Sequence, residues 1–399
     1  MKQRAASNDG KPRVLLYAGP YGRLGEVWIH RHATGLKRYE CHVAAAGYRN
    51  RDLFVNPAVH LVDSENPFLH RLRQAGHFLR WMEWPTAERL EVAGIRRVVR
   101  RIAPVLIHAH FLWNLRSSAP VAAEQSVPLV VTGHGTDVNK AIVDEPYRND
   151  VLRGMERVAR VIAVSDFIKG KLVQIGCPPG KIRRIYIGAP IPDVCADVAS
   201  QGDRIQVLCV AAFNRAKGHS YLLEAFAVAS QREACLFLTL VGDGPLRRDI
   251  ERRIVELGIT ERVTLAGLVP PERLRGLMAA SHIYVQPSVR IVQDRPGGRR
   301  SVQEEGLAIS LVEAASFGLP LVVSRCGGMG EICRDGETGY EVQQRDVAAM
   351  ADRIVELAQC PDRRMSMGAK ARRLAEQEFD GDTQLGKIEC LYDDVLESE

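Results

Sequence analysis

Short apolar runs alternate with longer amphipathic stretches along this chain. Residues 13–18 are almost continuously apolar, the pattern of a strand buried on both faces. A turn over 19–22 (Gly-Pro-Tyr-Gly) and a helix from about 26 to 36 should follow it. Similar runs at 39–45, 105–109, 129–132 and 160–164 predict further strands with helices between them. That alternation predicts a doubly wound parallel sheet. The stretch 188–193, holding Pro190 and Pro192, and the polar residues 200–203 predict a linker. A second sheet is expected from 204–207, 235–241, 263–266, 282–286 and 321–324. The fold class is therefore α/β with two sheet domains, 1–195 and 196–380. Residues 381–399 are expected to form a helix packing back toward the first domain. The polar residues 1–11 are expected to be disordered.

Length agrees with two domains, because 399 residues exceed what one ordinary core organises. Charge adds something the total of +6 hides. Residues 1–195 carry 29 Lys and Arg against 17 Asp and Glu, a net +12, whereas 196–399 carry 25 against 31, a net −6. The first half should meet an anionic partner. Much of its excess lies in 66–101, with Arg71, Arg73, Arg80, Arg89, Arg96, Arg97, Arg100 and Arg101 beside Trp81 and Trp84. That segment suits an anionic membrane surface, or else a solvated helix face whose aromatics turn inward. No apolar run approaches a membrane span, and nine scattered cysteines without a C-x-x-C pair suit reduced thiols. The expected location is cytoplasmic, with peripheral attachment to the inner membrane face possible.

Candidate chemistry concentrates late in the chain. Glu305 and Glu313 lie eight positions apart, a little over two helical turns. On a continuous helix one carboxylate would sit at its mouth and the other on roughly the same face. Free N–H groups in the first turn can hold a diphosphate, and the flanking carboxylates can accept hydrogen bonds from sugar hydroxyls. Arg215 and Lys217, in Asn214-Arg215-Ala216-Lys217-Gly218, are cations suited to a diphosphate. Gly25 opens a helix after the first strand, where a turn lined by amides can approach a phosphate. His108 and His110 share a His-x-His spacing, but no third metal ligand can be assigned to them.

Glu305 to Glu313 runs into Ala314-Ala315-Ser316-Phe317-Gly318-Leu319-Pro320, then Cys326-Gly327-Gly328-Met329-Gly330-Glu331 and Asp335-Gly336-Glu337-Thr338-Gly339. With Asn214 to Gly218, Leu240-Val241-Gly242-Asp243-Gly244 and Thr132-Gly133-His134-Gly135-Thr136-Asp137, this order resembles the family-four retaining glycosyltransferases, particularly exopolysaccharide and lipopolysaccharide types. The resemblance covers most of the chain. It implies the GT-B fold, two Rossmann-like domains facing a cleft, with acceptor mainly on the N-terminal side and a nucleotide-diphosphate sugar on the other.

It also implies roles. His134 and Glu305 would contact the donor sugar, with Asp137 bracing the loop of His134, while Arg215 and Lys217 stabilise the leaving diphosphate. Glu313 would take the ribose diol, Gly306 and Leu307 would offer amides, Gly25 would approach the diphosphate, and Gly267, Leu268 and Val269 would contact the base. No metal or other cofactor would be required. Transfer would retain anomeric configuration, more readily by front-face attack than through a covalent intermediate. The acceptor would be a saccharide or lipid-linked molecule, and nucleic acid is excluded because the basic excess lacks a recognition motif. Two departures stand out: Ala211-Ala212 replaces a common Gly-Arg, and the Arg- and Gly-rich stretch 289–304 is either a lid or a donor contact. The alternatives are a GT-B epimerase, a phosphorylase, or a non-catalytic sugar-nucleotide scaffold.

Overall fold

The apolar runs of the first half become the strands of a seven-stranded parallel sheet in the computed structural model, which describes residues 10–62, 85–199, 204–295 and 299–398. Its strands are β1 (Arg13–Tyr21), β2 (Glu40–Tyr48), β3 (Val59–Leu61), β4 (Leu106–His110), β5 (Leu129–Gly133), β6 (Arg160–Ala163) and β7 (Ile182–Arg184), in the order β3-β2-β1-β4-β5-β6-β7. A second sheet holds β8 (Ile205–Val210), β9 (Leu236–Val241), β10 (Val263–Gly267) and β11 (Ile283–Gln286). After an antiparallel hairpin of β12 (Ile291–Arg295) and β13 (Arg299–Gln303) come β14 (Leu321–Ser324) and β15 (Gly339–Val342). This six-stranded parallel sheet has the order β10-β9-β8-β11-β14-β15. Both orders reverse direction beside the first strand of the unit, as doubly wound folds do.

The chain divides into two compact units, one of residues up to 164, 168–185 and 382 onward, the other of 165–167 and 186–381. In the first, the C-terminal helix Gly381–Glu397 contributes Leu391, Tyr392 and Val395 to the core around Val14, Leu16 and Val43. Glu389 fixes it further, accepting from the backbone N–H groups of Lys37 and Arg38 at 2.7 and 2.6 Å. The break between units at 185/186 precedes the proline stretch.

One local expectation needs correcting. The turn over 19–22 does not end β1, which runs on to Tyr21. β4 pairs with β1 only as far as Tyr17, so beyond that point β1 is bonded on one side alone and tolerates Pro20, which lacks an N–H. The stretch 289–304 contains a hairpin with Val292 opposite Val302 and an ion pair between Asp294 and Arg300.

Of the basic segment 66–101, residues up to 84 lie outside the described part, Trp81 and Trp84 among them. In the helix Pro85–Ile102, Arg96 and Arg100 pair with Glu124, Arg97 donates to the Val62 carbonyl and Arg101 contacts His60. Each of those four arginines thus has a partner within the first unit. No helix among the described residues is long and apolar enough to cross a membrane.

The second unit contains a fully buried guanidinium. Arg364 donates to the carbonyls of Val198, Leu357 and Ala358 at 2.9, 2.7 and 2.8 Å, and burial lowers its pKa. Arg364→Met keeps most of the volume but leaves those acceptors without this donor. A loss of about 3 kcal/mol is expected in urea unfolding, within the range for breaking a buried charged network. A loss below ~1 kcal/mol would mean that the carbonyls find other donors.

Candidate functional site

Loops leaving the carboxyl ends of strands on either side of the order reversal diverge, and ligands of open α/β sheets bind there. In the second unit those strands are β8 and β11. After β8 the chain reaches a single 3-10 turn, Arg215–Lys217, closed by Gly218 in the left-handed region at φ 68°. After β11 come Pro287 and Ser288. Lys217 Nζ lies 2.5 Å from Glu305 Oε1, and the Ser288 hydroxyl donates to the same oxygen at 2.7 Å. Behind Ser288, Gln286 Nε2 donates to its Oγ at 2.9 Å, and the Tyr284 hydroxyl donates to Gln286 Oε1 at 3.0 Å. Tyr284, Gln286 and Ser288 are fully buried, so a polar row along β11 ends on one carboxylate.

The Glu305 side chain is 12% exposed. Burial pushes its pKa up, but the Lys217 ammonium and the Ser288 hydroxyl outweigh this and hold the carboxyl below its ordinary value. Glu305 is thus a fixed anion at neutral pH.

The helical spacing expected for Glu305 and Glu313 does not form. The helix begins at Ile309 and ends at Ser316, so Glu305 lies in the preceding extended segment and only Glu313 is helical. Contacts distant in sequence explain this. The Glu305 carbonyl accepts from Gly328 N–H at 3.3 Å, its side chain is tied to Lys217 and Ser288, and the Gly306 carbonyl accepts from Ser165 Oγ at 2.8 Å. Gly306 and Leu307 are buried, and no acceptor for their N–H groups is found among the described residues. Those groups precede the helix rather than belonging to its first turn. Arg215 is exposed beside Lys217, and Ala212 is exposed. Gly267, Leu268 and Val269 form the turn at the end of β10, where Gly267 accepts from Gly242 N–H at 2.9 Å and Leu268 is 61% exposed.

The remaining expected residues belong to the first unit. Gly25 lies in the 3-10 turn Leu24–Glu26 after β1, and a Cβ there would meet nothing within 4 Å, so packing does not demand glycine. His134 follows β5 immediately. Asp137, fully buried, accepts from the N–H groups of Leu112, His134 and Gly135 at 2.8, 3.0 and 2.9 Å, which fixes the loop. Burial raises the Asp137 pKa against the pull of those bonds. His134 Nε2 contacts His110 Nδ1 at 3.2 Å, while its Nδ1 is buried with no partner. Burial and His32 lower the His134 pKa to about 3, so the ring is neutral.

Sequence reasoning did not single out Ser288, Gln286 and Tyr284, nor His32 and Tyr392, which continue the histidine contacts. Ser288 carries a usable signal, a polar residue just past a buried strand. His32 and Tyr392, 360 positions apart, carry none. No group of three or more His, Cys, Asp or Glu arranged to hold a metal occurs among the described residues.

Two family models match: Glycosyltransferase Family 4 over residues 25–191 and Glycosyl transferases group 1 over 194–374. Together the two models cover most of the chain, which therefore belongs to the glycosyltransferases they describe. It is similar to a GDP-mannose-dependent alpha-(1-6)-phosphatidylinositol monomannoside mannosyltransferase of Mycolicibacterium smegmatis, 28% identical over 62% of this chain and 65% of that one. It is also similar to the amylovoran biosynthesis glycosyltransferase AmsK of Erwinia amylovora, 25% identical over 63% and 60%. These alignments thus span somewhat under two thirds of either relative. The crystal structure of Anabaena HepE in complex with UDP and glucose superposes with a TM-score of 0.76 at 19% identity, covering 96% of this chain and all of that one. This confirms the two-domain GT-B fold.

Proposed function

We propose that this protein transfers a sugar from a nucleotide-diphosphate donor, with retention and without a metal, to a saccharide or lipid-linked acceptor in polysaccharide or glycolipid biosynthesis. The observation that carries this reading is the Lys217–Glu305–Ser288 cluster at the order reversal of the six-stranded sheet. A cation and an anion held 2.5 Å apart offer one group to a diphosphate and the other to sugar hydroxyls. The HepE complexes hold UDP, glucose and UDP-glucose, and curated relatives work on amylovoran and phosphatidylinositol mannoside. They support the substrate class.

In this reading Lys217 and Arg215 stabilise the diphosphate as charge develops on it. Glu305 accepts from sugar hydroxyls, Glu313 from the ribose diol, and the amides of Gly306 and Leu307 donate to phosphate or sugar. Gly267, Leu268 and Val269 meet the base. Gly25 and His134 of the first unit are assigned to the same donor. The acceptor oxygen attacks the anomeric carbon on the face from which the diphosphate departs. Its proton passes to a phosphate oxygen of the leaving group, so the new C–O bond replaces the old with configuration kept. The basic excess of the first half supports a cytoplasmic enzyme attached peripherally to the inner face of an anionic membrane.

The test incubates the full chain with UDP-, GDP-, ADP- and dTDP-sugars, with and without EDTA, and reads nucleotide release and thermal shift. One nucleotide should raise the melting temperature by several degrees, and Glu313→Ala should abolish that shift. Release unaffected by EDTA and an α-linked product by NMR are expected. Loss of release in EDTA overturns metal independence, a β-linked product overturns retention, a thermal shift without release favours the non-catalytic sugar-nucleotide scaffold, and no shift with any nucleotide overturns the donor site itself.

A further inference from the structure

Four histidines of the first unit share one line of hydrogen bonds with two hydroxyls. Thr132 Oγ1 lies 2.7 Å from His108 Nε2, and His108 Nδ1 lies 2.6 Å from the Tyr392 hydroxyl. That hydroxyl is 3.0 Å from His32 Nε2, whose ring contacts His110 Nε2 through Nδ1 at 3.1 Å. His110 Nδ1 then reaches His134 Nε2 at 3.2 Å. Burial lowers the pKa of His32 and His134 to about 3 and those of His108 and His110 well below the usual value, so all four rings are neutral.

Proton counting restricts this line. A neutral imidazole has one N–H and one bare nitrogen, and a phenol has one proton to give. Each link therefore holds one proton, and all must point the same way. Either every donor points toward His134, which then carries its own proton on Nδ1, or every donor points away and Nδ1 is bare.

The closed end decides between them. Thr132 is 3% exposed, and its side-chain partner among the described residues is His108 Nε2. A hydroxyl donating there spends its proton. One that accepted there would keep a buried proton without an acceptor and would also leave a bare His134 Nδ1 buried without a donor, two unpaired groups, whereas the opposite direction leaves only the His134 Nδ1–H unpaired until a ligand arrives. We infer that the line runs from Thr132 through His108, Tyr392, His32 and His110 to His134, so that His134 presents Nδ1–H to its ligand.

Thr132 and Tyr392 are then positioning residues for a group they do not touch. The consequence is a specificity rule. What meets His134 must be an acceptor, a hydroxyl, carbonyl or phosphate oxygen, and the C-terminal helix takes part through Tyr392. This rule builds on the proposed donor role of His134, but proton placement in the ligand-free chain does not depend on it.

The test is long-range proton–nitrogen NMR on the full ligand-free chain labelled with ¹⁵N-histidine, with His134 assigned by its loss in His134→Gln. Wild type should show His134 protonated at Nδ1. Thr132→Val should move the His134 pair to an averaged or reversed pattern, and Thr132→Ser should restore the wild-type pattern. Protonation at Nε2 in the wild type overturns the inference, as does a Thr132→Val spectrum identical to wild type. If Thr132→Val does not fold, the wild-type spectrum decides by itself. Its sign would refute the assignment as surely as a variant could.

Discussion

Lys217→Ala should lower kcat by about two to three orders of magnitude, the scale on which losing one preorganised group aimed at developing charge is felt. The same change should destabilise the second unit, for a separate reason. Glu305 would keep its buried place without its counter-ion, and breaking a buried pair from one side costs about 3–5 kcal/mol. The pH dependence distinguishes this from lost packing. In the wild type the Glu305 carboxyl is held below its ordinary value, Lys217 and Ser288 outweighing burial. A depressed carboxyl contributes stability that is fully present above the unfolded-state pKa of about 4.3 and is lost as pH falls through the folded value.

In the variant, burial is opposed by Ser288 alone and the carboxyl rises. Its deficit should be full near neutral pH and should shrink as acid protonates Glu305 in both proteins. Urea unfolding near pH ~7 and near pH ~4 reads the difference. Equal deficits at both would mean that the ammonium contributes by contact instead of charge. The double change Lys217→Met with Glu305→Gln gives a second check. It removes both charges at similar volume, so stability should largely return while kcat stays low. Recovery of both would remove Lys217 from the chemistry.

What sequence shows and what it hides follow the same physical line. Buried strands such as β4, β5 and β8 are legible because an apolar run between helices has few other uses. β3, β7 and β15 are short and lie at sheet edges, and β7 reads Ile-Arg-Arg, so they offer little contrast with the surrounding loops. The cations of the site were legible because Arg215 and Lys217 sit in one turn after a strand. Glu305 was legible as a residue but not as a position. Its spacing from Glu313 suggests a helix, and the contacts that prevent one come from Lys217, Ser288 and Gly328. His134 was legible by its place at the end of β5. The line behind it was not, because His32, His108, His110 and Tyr392 meet only once the C-terminal helix has packed on the first unit.

Gly327→Ala should be the most damaging change to the site that alters no charge. Gly327 has φ 62°, and a Cβ there would stand 1.8 Å from the Glu305 carbonyl oxygen, a distance no packed structure allows. The main chain carrying Glu305 must then move, and with it the carboxylate shared by Lys217 and Ser288. Gly336 supplies the control, since it has φ 73° but nothing within 4 Å of a Cβ. Gly336→Ala should cost only the backbone strain, about 1 kcal/mol, and leave nucleotide binding intact. Gly327→Ala adds the collision to the same strain. It should cost at least ~3 kcal/mol and abolish the thermal shift given by the preferred nucleotide. Measuring both variants by urea unfolding and by thermal shift separates the two contributions, because the left-handed conformation is common to them. Equal costs would show that the Glu305 segment is free to give way. In that event the carboxylate would be held by its side-chain partners alone, and Ser288→Ala would displace it in turn.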